Sequence, residues 1–374
     1  MLGLYLHIPF CSAICNYCNF NRGLFDAGLK DRYVAALEQD ILRSGREQPG
    51  AADTIFFGGG TPSLLEPDEV ARLIAVCRSA FAVTPDAEVT LETNPETSSS
   101  LRMERFRQAG VNRISFGVQS FREPELRRLG RLHTADRARA AVREARAAGF
   151  DNVSLDLMMW LPQQSQSDWR ESIEALIDVG PEHASLYLLE LYPNAPLKEE
   201  MARAGWSLAP DEDAAEMYLW SLQRLELAGY RQYEISNVSR KDRMSRHNLK
   251  YWQDGEWLGF GCGAHSTRAG VRWKNVSATE DYIHRVAAGL SLVAEHRVLT
   301  TKEHLEETLF TGLRLTSGLD LDEVQARYGI DVWGRFGSSL QPFMDAGLLH
   351  REGSRLRLSR DGMLVANEIM AVFV

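Results

Sequence analysis

Residues 4–20 read LYLHIPFCSAICNYCNF, an apolar run that breaks into three closely spaced cysteines, Cys11, Cys15 and Cys18. The run from Leu2 to Ile8 reads as a β-strand, which puts the cysteines on the loop at its C-terminal end. Five similar runs follow: TIFFGG from Thr54, EVTLET from Glu88, RISFGV from Arg113, NVSLDLMM from Asn152 and HASLYLLEL from His183. They are rich in β-branched and aromatic residues and nearly continuously apolar, as strands covered on both faces are. Amphipathic segments such as DEVARLIAVCRSAF and LRMERFRQAG lie between them, and AG or AAGF closes the helices as a C-cap signal. Six strands alternating with helices over roughly residues 1–200 predict an α/β fold with a parallel sheet, open or curled into a partial barrel. Ligands of such folds sit at the C-terminal ends of the strands, where the cysteines are.

The 374-residue chain is 44% hydrophobic and 25% charged, which excludes intrinsic disorder and low-complexity scaffolds. Its net charge of −9 makes it a poor general binder of nucleic acid or anionic membrane. No apolar run approaches the roughly 20 residues of a membrane helix. With no basic leader at the start, a cytoplasmic protein is expected. Five cysteines in a reducing compartment do not form a disulfide framework and point to metal or redox chemistry. Cys77 and Cys262 stand apart, Cys77 as a core residue on a helix.

Three thiolates suit an iron–sulfur cluster, copper(I) or zinc, and leave one position of a cubane cluster open. Zinc would need a fourth ligand, for which His7 is the candidate. After the second strand, Gly58-Gly59-Gly60-Thr61-Pro62 lets the backbone approach a ligand closely. Glu92, Gln119 and Asp156 lie at or near the ends of later strands and complete a ligand crevice.

Beyond the sheet, PDEDAAEMYLWSLQRLELAGY reads as a helix over Ala214 to Leu227 capped by Asp211. From Thr300 the pattern is three helices, a hairpin (LLHREGSRLRLS) and a terminal helix, a mainly helical domain that resembles a winged helix. Its third helix, Trp333 to Ala346, carries one basic residue, Arg335, so packing or a lid role is expected in place of DNA binding. The expected division is 1–204 for the partial barrel, 205–299 for a connecting region and 300–374 for the tail.

The spacing CxxxCxxC with Tyr17 before the last cysteine resembles the signature of radical SAM enzymes. The blocks LYLHIPFCSAICNYCNF, FFGGGTPSLL, ISFGVQSF, RLGRLH, PDEDAAEMY, YEISN, RHNLKYW and LGFGCGAHS resemble, in order, those of the HemN/HemW group, the oxygen-independent coproporphyrinogen III oxidases and their relatives. The resemblance implies a (β/α)6 partial barrel and one-electron chemistry at a cluster and S-adenosylmethionine (SAM), which the protein positions and shields from water and oxygen. Cys11, Cys15 and Cys18 would ligate a [4Fe–4S] cluster. Tyr5, Gly59 and Glu92 match positions lining cluster-bound SAM. Tyr17, Gly60, Thr61, Gln119, Arg131 and Asp156 match positions that hold a second SAM in the oxidase.

Three features separate the chain from an oxidase. The oxidase pattern continues to a fourth cysteine where Phe20 stands here, and the oxidase carries an N-terminal extension before the cluster. The run His247-Asn248-Leu249-Lys250-Tyr251-Trp252 matches HNxxYW, which the HemW branch links with heme. Imidazole is a standard axial ligand of heme iron, so His247 is expected to ligate or orient heme, and Tyr251 and Trp252 offer faces for a porphyrin. A histidine beside a buried aromatic pair is the bland alternative. The resemblance thus implies a heme chaperone with heme, heme-accepting apoproteins and a flavodoxin-like electron donor as partners. Coproporphyrinogen III oxidation is the alternative, and methyl transfer or ring opening on a tetrapyrrole comes third. Residues 101–150 hold 12 arginines and five acidic residues, either a solvated helix face or a surface for propionates or an acidic donor. WLPQQ around Pro162 replaces the family's GLPGQ, YPNAP around Pro193 replaces EPGTP, and Cys262 stands where proline is usual.

Overall fold

The computed structural model describes residues 1–193 and 195–374. Six strands, β1 (Leu2–Ile8), β2 (Ala51–Gly59), β3 (Ala82–Thr93), β4 (Arg113–Gln119), β5 (Val153–Met159) and β6 (His183–Leu188), pair in parallel in that order. Helices α1 (Ala27–Glu47), α2 (Pro67–Ala80), α3 (Ser100–Gln108), α4 (Ala135–Ala147) and α5 (Gln166–Val179) make the crossovers. The strands are not uniformly apolar. Their period of two sorts Leu4, Leu6, Ile55, Phe57, Val89, Leu91, Ile114, Phe116 and Leu155 onto the buried, helix-covered face. The opposite face carries Thr54, Glu88, Thr90, Arg113, Ser115, Ser154, His183 and Ser185, also buried. A curled sheet with a polar interior follows, and polar side chains enclosed there hydrogen-bond to one another: Ser154 Oγ lies 2.8 Å from His183 Nδ1 and His183 Nε2 2.8 Å from the Tyr233 hydroxyl.

Residues 205–299 add strands to both edges of this sheet. A helix, α6 (Asp211–Leu227), leads to β7 (Arg231–Glu234) and β8 (Asn237–Ser239), which close antiparallel on β6. After α7 (Arg246–Trp252), β9 (Trp257–Phe260) joins β1 in parallel, and β10 (His265–Arg268), β11 (Val271–Asn275) and β12 (Val293–Val298) continue antiparallel. The twelve-stranded order is β12-β11-β10-β9-β1-β2-β3-β4-β5-β6-β8-β7. Asp211 is the first residue of α6 and does not cap it through its side chain. Pro210 takes the cap position, and Asp211, Glu212 and Asp213 instead set negative charge against the positive end of the helix dipole.

The tail has helices at Thr301–Gly312, Leu321–Tyr328 and Val332–Asp345, then a hairpin of Leu349–Glu352 and Arg355–Leu358 joined by Leu319–Asp320, which is winged-helix topology. It docks on the far edge of the sheet, where Arg314 pairs with buried Glu234 at 3.0 Å and the Ile235 amide donates to the Arg314 carbonyl. No helix among the described residues is long and apolar enough to cross a membrane.

Candidate functional site

The cysteine loop is pinned at both ends, because Phe10–Cys11 pairs with Gly23–Leu24 in a short parallel ladder. Within it the Cys18 amide donates to the Cys15 carbonyl at 3.2 Å, and Arg22 donates to the Cys18 carbonyl. Gly60 passes beneath: a Cβ there would lie 2.7 Å from the Phe10 carbonyl and 3.0 Å from Cys11 Sγ, so only glycine fits. Arg131 places Nη1 3.3 Å from Cys15 Sγ, a cation beside a group that must ionise to bind iron. Burial pushes the Cys11 and Cys18 thiols up.

The zinc alternative does not survive. His7 Nε2 donates to the Asn21 carbonyl at 2.7 Å and Nδ1 accepts from the Tyr5 hydroxyl at 3.1 Å, so neither nitrogen is open to a metal. Among the described residues no group of three His, Cys, Asp or Glu side chains is placed to hold a single metal ion. A cubane asks for something else, since each thiolate meets its own iron. Three cysteines on one loop beside a cation fit that group.

Cys11, Cys15, Cys18, Tyr17, Gly59, Gly60, Thr61, Glu92, Gln119, Arg131 and Asp156 line one cavity of about 410 Å³ at the C-terminal ends of β1–β6. Glu92 Oε2 accepts from the Gly59 amide at 3.2 Å. Burial, with Asp156 nearby, raises its pKa to about 8, and burial raises Asp156 too. Two acids pushed toward neutrality form a site that a cationic ligand such as a sulfonium would relieve. Arg131 Nη2 donates to Asn94 Oδ1 at 2.7 Å and to the Gly117 carbonyl at 2.6 Å, and Asn94 Nδ2 donates to Thr61 Oγ1 at 3.1 Å. Gln119 has φ of 68°, and its Oε1 and Arg131 Nε are buried with no partner. Orphaned polar atoms and left-handed backbone in one crevice mark a place prepared for a ligand. Sequence reading missed Asn94 and Tyr187. Asn94 had a signal, its place just past the end of β3 before Pro95; Tyr187 had only the inward parity of Ser185.

His247 and Tyr251 are hydrogen-bonded while Trp252 lies apart, which corrects the expectations that His247 is an iron ligand and that Trp252 stacks on the porphyrin. His247 is 1% exposed at the base of the sheet interior, with Nδ1 2.8 Å from Thr54 Oγ1 and Nε2 2.9 Å from the Tyr251 hydroxyl. Its ring stacks on Phe56, and burial pushes its pKa down to about 3. It offers iron no nitrogen and instead holds Tyr251. Trp252 turns the other way, beneath the Arg314 guanidinium at 4.3 Å. Tyr251 lines a second, lateral cavity of about 530 Å³ on the β9 side of β1, and so does Tyr5, which was expected beside SAM with Gly59 and Glu92 but does not line the cysteine cavity. The two cavities share a wall of Asn19, Phe20, Gly59 and Glu92.

The arginine-rich segment is largely engaged internally. Arg102, Arg105, Arg122, Arg137 and Arg146 each meet a carboxylate, and Arg113 is buried inside the sheet. The family's glycines in GLPGQ have a visible counterpart. Trp160 and Gln163 occupy those positions with φ of 61° and 58°, where glycine would be unstrained. Trp160 Nε1 is tied to the Ala209 carbonyl at 2.8 Å and the Gln163 amide to the Ser207 carbonyl at 2.9 Å. Cys262 uses the N–H that proline lacks, donating to the Tyr33 hydroxyl at 3.1 Å. The Asn194 of YPNAP lies outside the described residues. Cys77 is fully buried, its thiol pushed up to about 12.

Residues 5–176 match the radical SAM superfamily and residues 299–365 the HemN C-terminal domain. The chain is 36% identical to the heme chaperone HemW of Bacillus subtilis, covering 100% of this chain and 99% of the relative. The chain belongs to the HemW family of radical SAM proteins. It is also 36% identical to heme chaperone HemW of Mycobacterium tuberculosis over 98% of this chain and 93% of that one. Radical S-adenosyl methionine domain-containing protein 1, mitochondrial, of Bos taurus is 37% identical, over 98% of this chain and 86% of the relative. The structure of coproporphyrinogen III oxidase HemN of Escherichia coli superposes with a TM-score of 0.88 at 22% identity, covering 100% and 89% of the two chains, which establishes the shared fold. Radical SAM membership implies a [4Fe–4S] cluster and SAM, and the cysteine loop and cavity are the residues that fit them.

Proposed function

We propose that this protein is a cytosolic heme chaperone, which holds heme beside the cluster–SAM site and passes it to acceptor apoproteins. Full-length similarity to relatives named heme chaperone HemW carries the reading. Phe20 supports it, 64% exposed and projecting into both cavities where an oxidase has cysteine. In this reading Cys11, Cys15 and Cys18 hold the cluster, which with SAM supplies one-electron chemistry when bound. Glu92, Asp156 and Arg131 orient the ligand, Gly59 and Gly60 let the backbone close on it, and Tyr17, Thr61 and Gln119 line the remaining surface. Tyr5 and Tyr251 face the heme side. A small acidic protein such as a flavodoxin is the electron donor we favour.

The test uses anaerobically reconstituted protein. Stoichiometric heme binding and transfer to an apo-hemoprotein, with no turnover of coproporphyrinogen III in the presence of reductant and SAM, is the expected result. Carbon dioxide release over many turnovers would establish the oxidase reading, which the HemN fold keeps as the second candidate.

A further inference from the structure

Resting on the chaperone reading, a specific heme ligand can be named. The lateral cavity is lined by four aromatic residues, Tyr5, Phe20, Tyr251 and Trp257, with His265 and Lys274 on its wall. Tyr251 and Trp257 meet edge to face with ring centres 4.7 Å apart, which fixes an aromatic corner. His265 and Lys274 are cross-strand partners on β10 and β11, so their side chains rise on the same face of the sheet. Trp257 Nε1 donates to the His265 carbonyl at 3.0 Å, and a Cβ on Gly259 would strike that carbonyl, so the backbone under the histidine is held closely.

Among the described residues His265 is the histidine of this cavity with ring nitrogens free of hydrogen bonds. The cavity's other histidine, His7, has both engaged, as does His247 beneath it. The His265 side chain is exposed. Partial burial and then Lys274 lower its pKa, so the ring is neutral and carries a lone pair at physiological pH. Lys274 lies 3.4 Å from exposed Glu295, a weak surface pair that a propionate can displace.

We propose that His265 is the axial ligand of a heme seated in the lateral cavity, with Phe20, Tyr251 and Trp257 against the macrocycle and Lys274 at a propionate. The cavity's volume of about 530 Å³ falls in the range of cofactor sites. His247 is then a positioning residue acting through Tyr251.

The experiment titrates ferric heme, and separately metal-free protoporphyrin IX, into cluster-loaded wild type, His265→Ala, His247→Gln and Lys274→Ala, read by the Soret band and the ferric-heme EPR signal. His265→Ala is expected to lose at least tenfold in heme affinity and the histidine-ligated signal, to keep protoporphyrin affinity within threefold, and to regain the signal on adding imidazole. His247→Gln keeps the ligand signal. An unaltered heme spectrum in His265→Ala, with wild type binding normally, overturns the ligand assignment and leaves the chaperone reading standing. Failure of wild type to bind heme overturns both. Retained cluster absorbance and SAM binding in His265→Ala show that the variant is folded.

Discussion

Glu92 offers a quantitative test of the SAM cavity. Its carboxyl is buried against Gly59, with a pKa of about 8 set by burial and then by Asp156. At pH 7 a group with that pKa is about 0.9 protonated, and at pH 9 about 0.1. Placing a sulfonium cation in the cavity favours the carboxylate, so ligand binding at pH 7 expels a proton that binding at pH 9 does not. Isothermal titration of SAM into cluster-loaded protein, in buffers of different ionisation enthalpy, counts those protons. The amino group of SAM contributes equally to wild type and Glu92→Gln, so the difference between them isolates the carboxyl. That difference is expected to be about 0.9 proton at pH 7 and about 0.1 at pH 9, with wild-type affinity about tenfold tighter at the higher pH from this group. Equal proton release from the two proteins at pH 7 would refute the electrostatic account of the cavity.

Other perturbations read different parts of the structure. Gln163→Gly removes a left-handed strain of roughly 1–2 kcal/mol against about 0.5–1 kcal/mol of added chain entropy, so urea unfolding should show a net gain of about 0.5–1 kcal/mol. A loss would mean that the Gln163–Ser207 contact outweighs the backbone term. Arg131→Gln withdraws a cation from beside Cys15 and should shift the cluster midpoint negative by on the order of 100 mV in an EPR redox titration; an unchanged potential sinks that role. His247 and His183 are buried with pKa values held down by burial, so they bind fewer protons folded than unfolded. The stability they contribute is complete above about pH 6.5 and drains as pH falls, for His247 toward about 3. His247→Gln should flatten the acid limb of an unfolding profile between those limits, and an identical limb would show that other groups govern it.

Much of the sheet was legible because its strands are short apolar runs bounded by turns. β1 and β4 begin where the sequence places them, and the cysteines fall on the loop after β1. The inner face was not, because Glu88, Arg113 and His183 read as strand termini until the curl of the sheet encloses them. The cluster and SAM positions were legible through local spacing and strand ends. The lateral cavity was hidden because Phe20, Tyr251, Trp257 and His265 meet only when β9–β11 fold back beside β1. The motif HNxxYW misled for the same reason. On a helix its histidine and tryptophan, five residues apart, point to opposite sides, and only packing decides which one faces a ligand.

The wall of Asn19, Phe20, Gly59 and Glu92 between the two cavities has a thermodynamic consequence. A guest on either side that shifts the Phe20 ring or the Glu92 carboxyl alters the free energy of the other chamber, and reciprocity makes the two effects equal in size. Whatever SAM does to the retention of cargo, cargo must do to the retention of SAM. A protein that loads one chamber and empties the other can therefore use the cofactor as a release signal without ever consuming it.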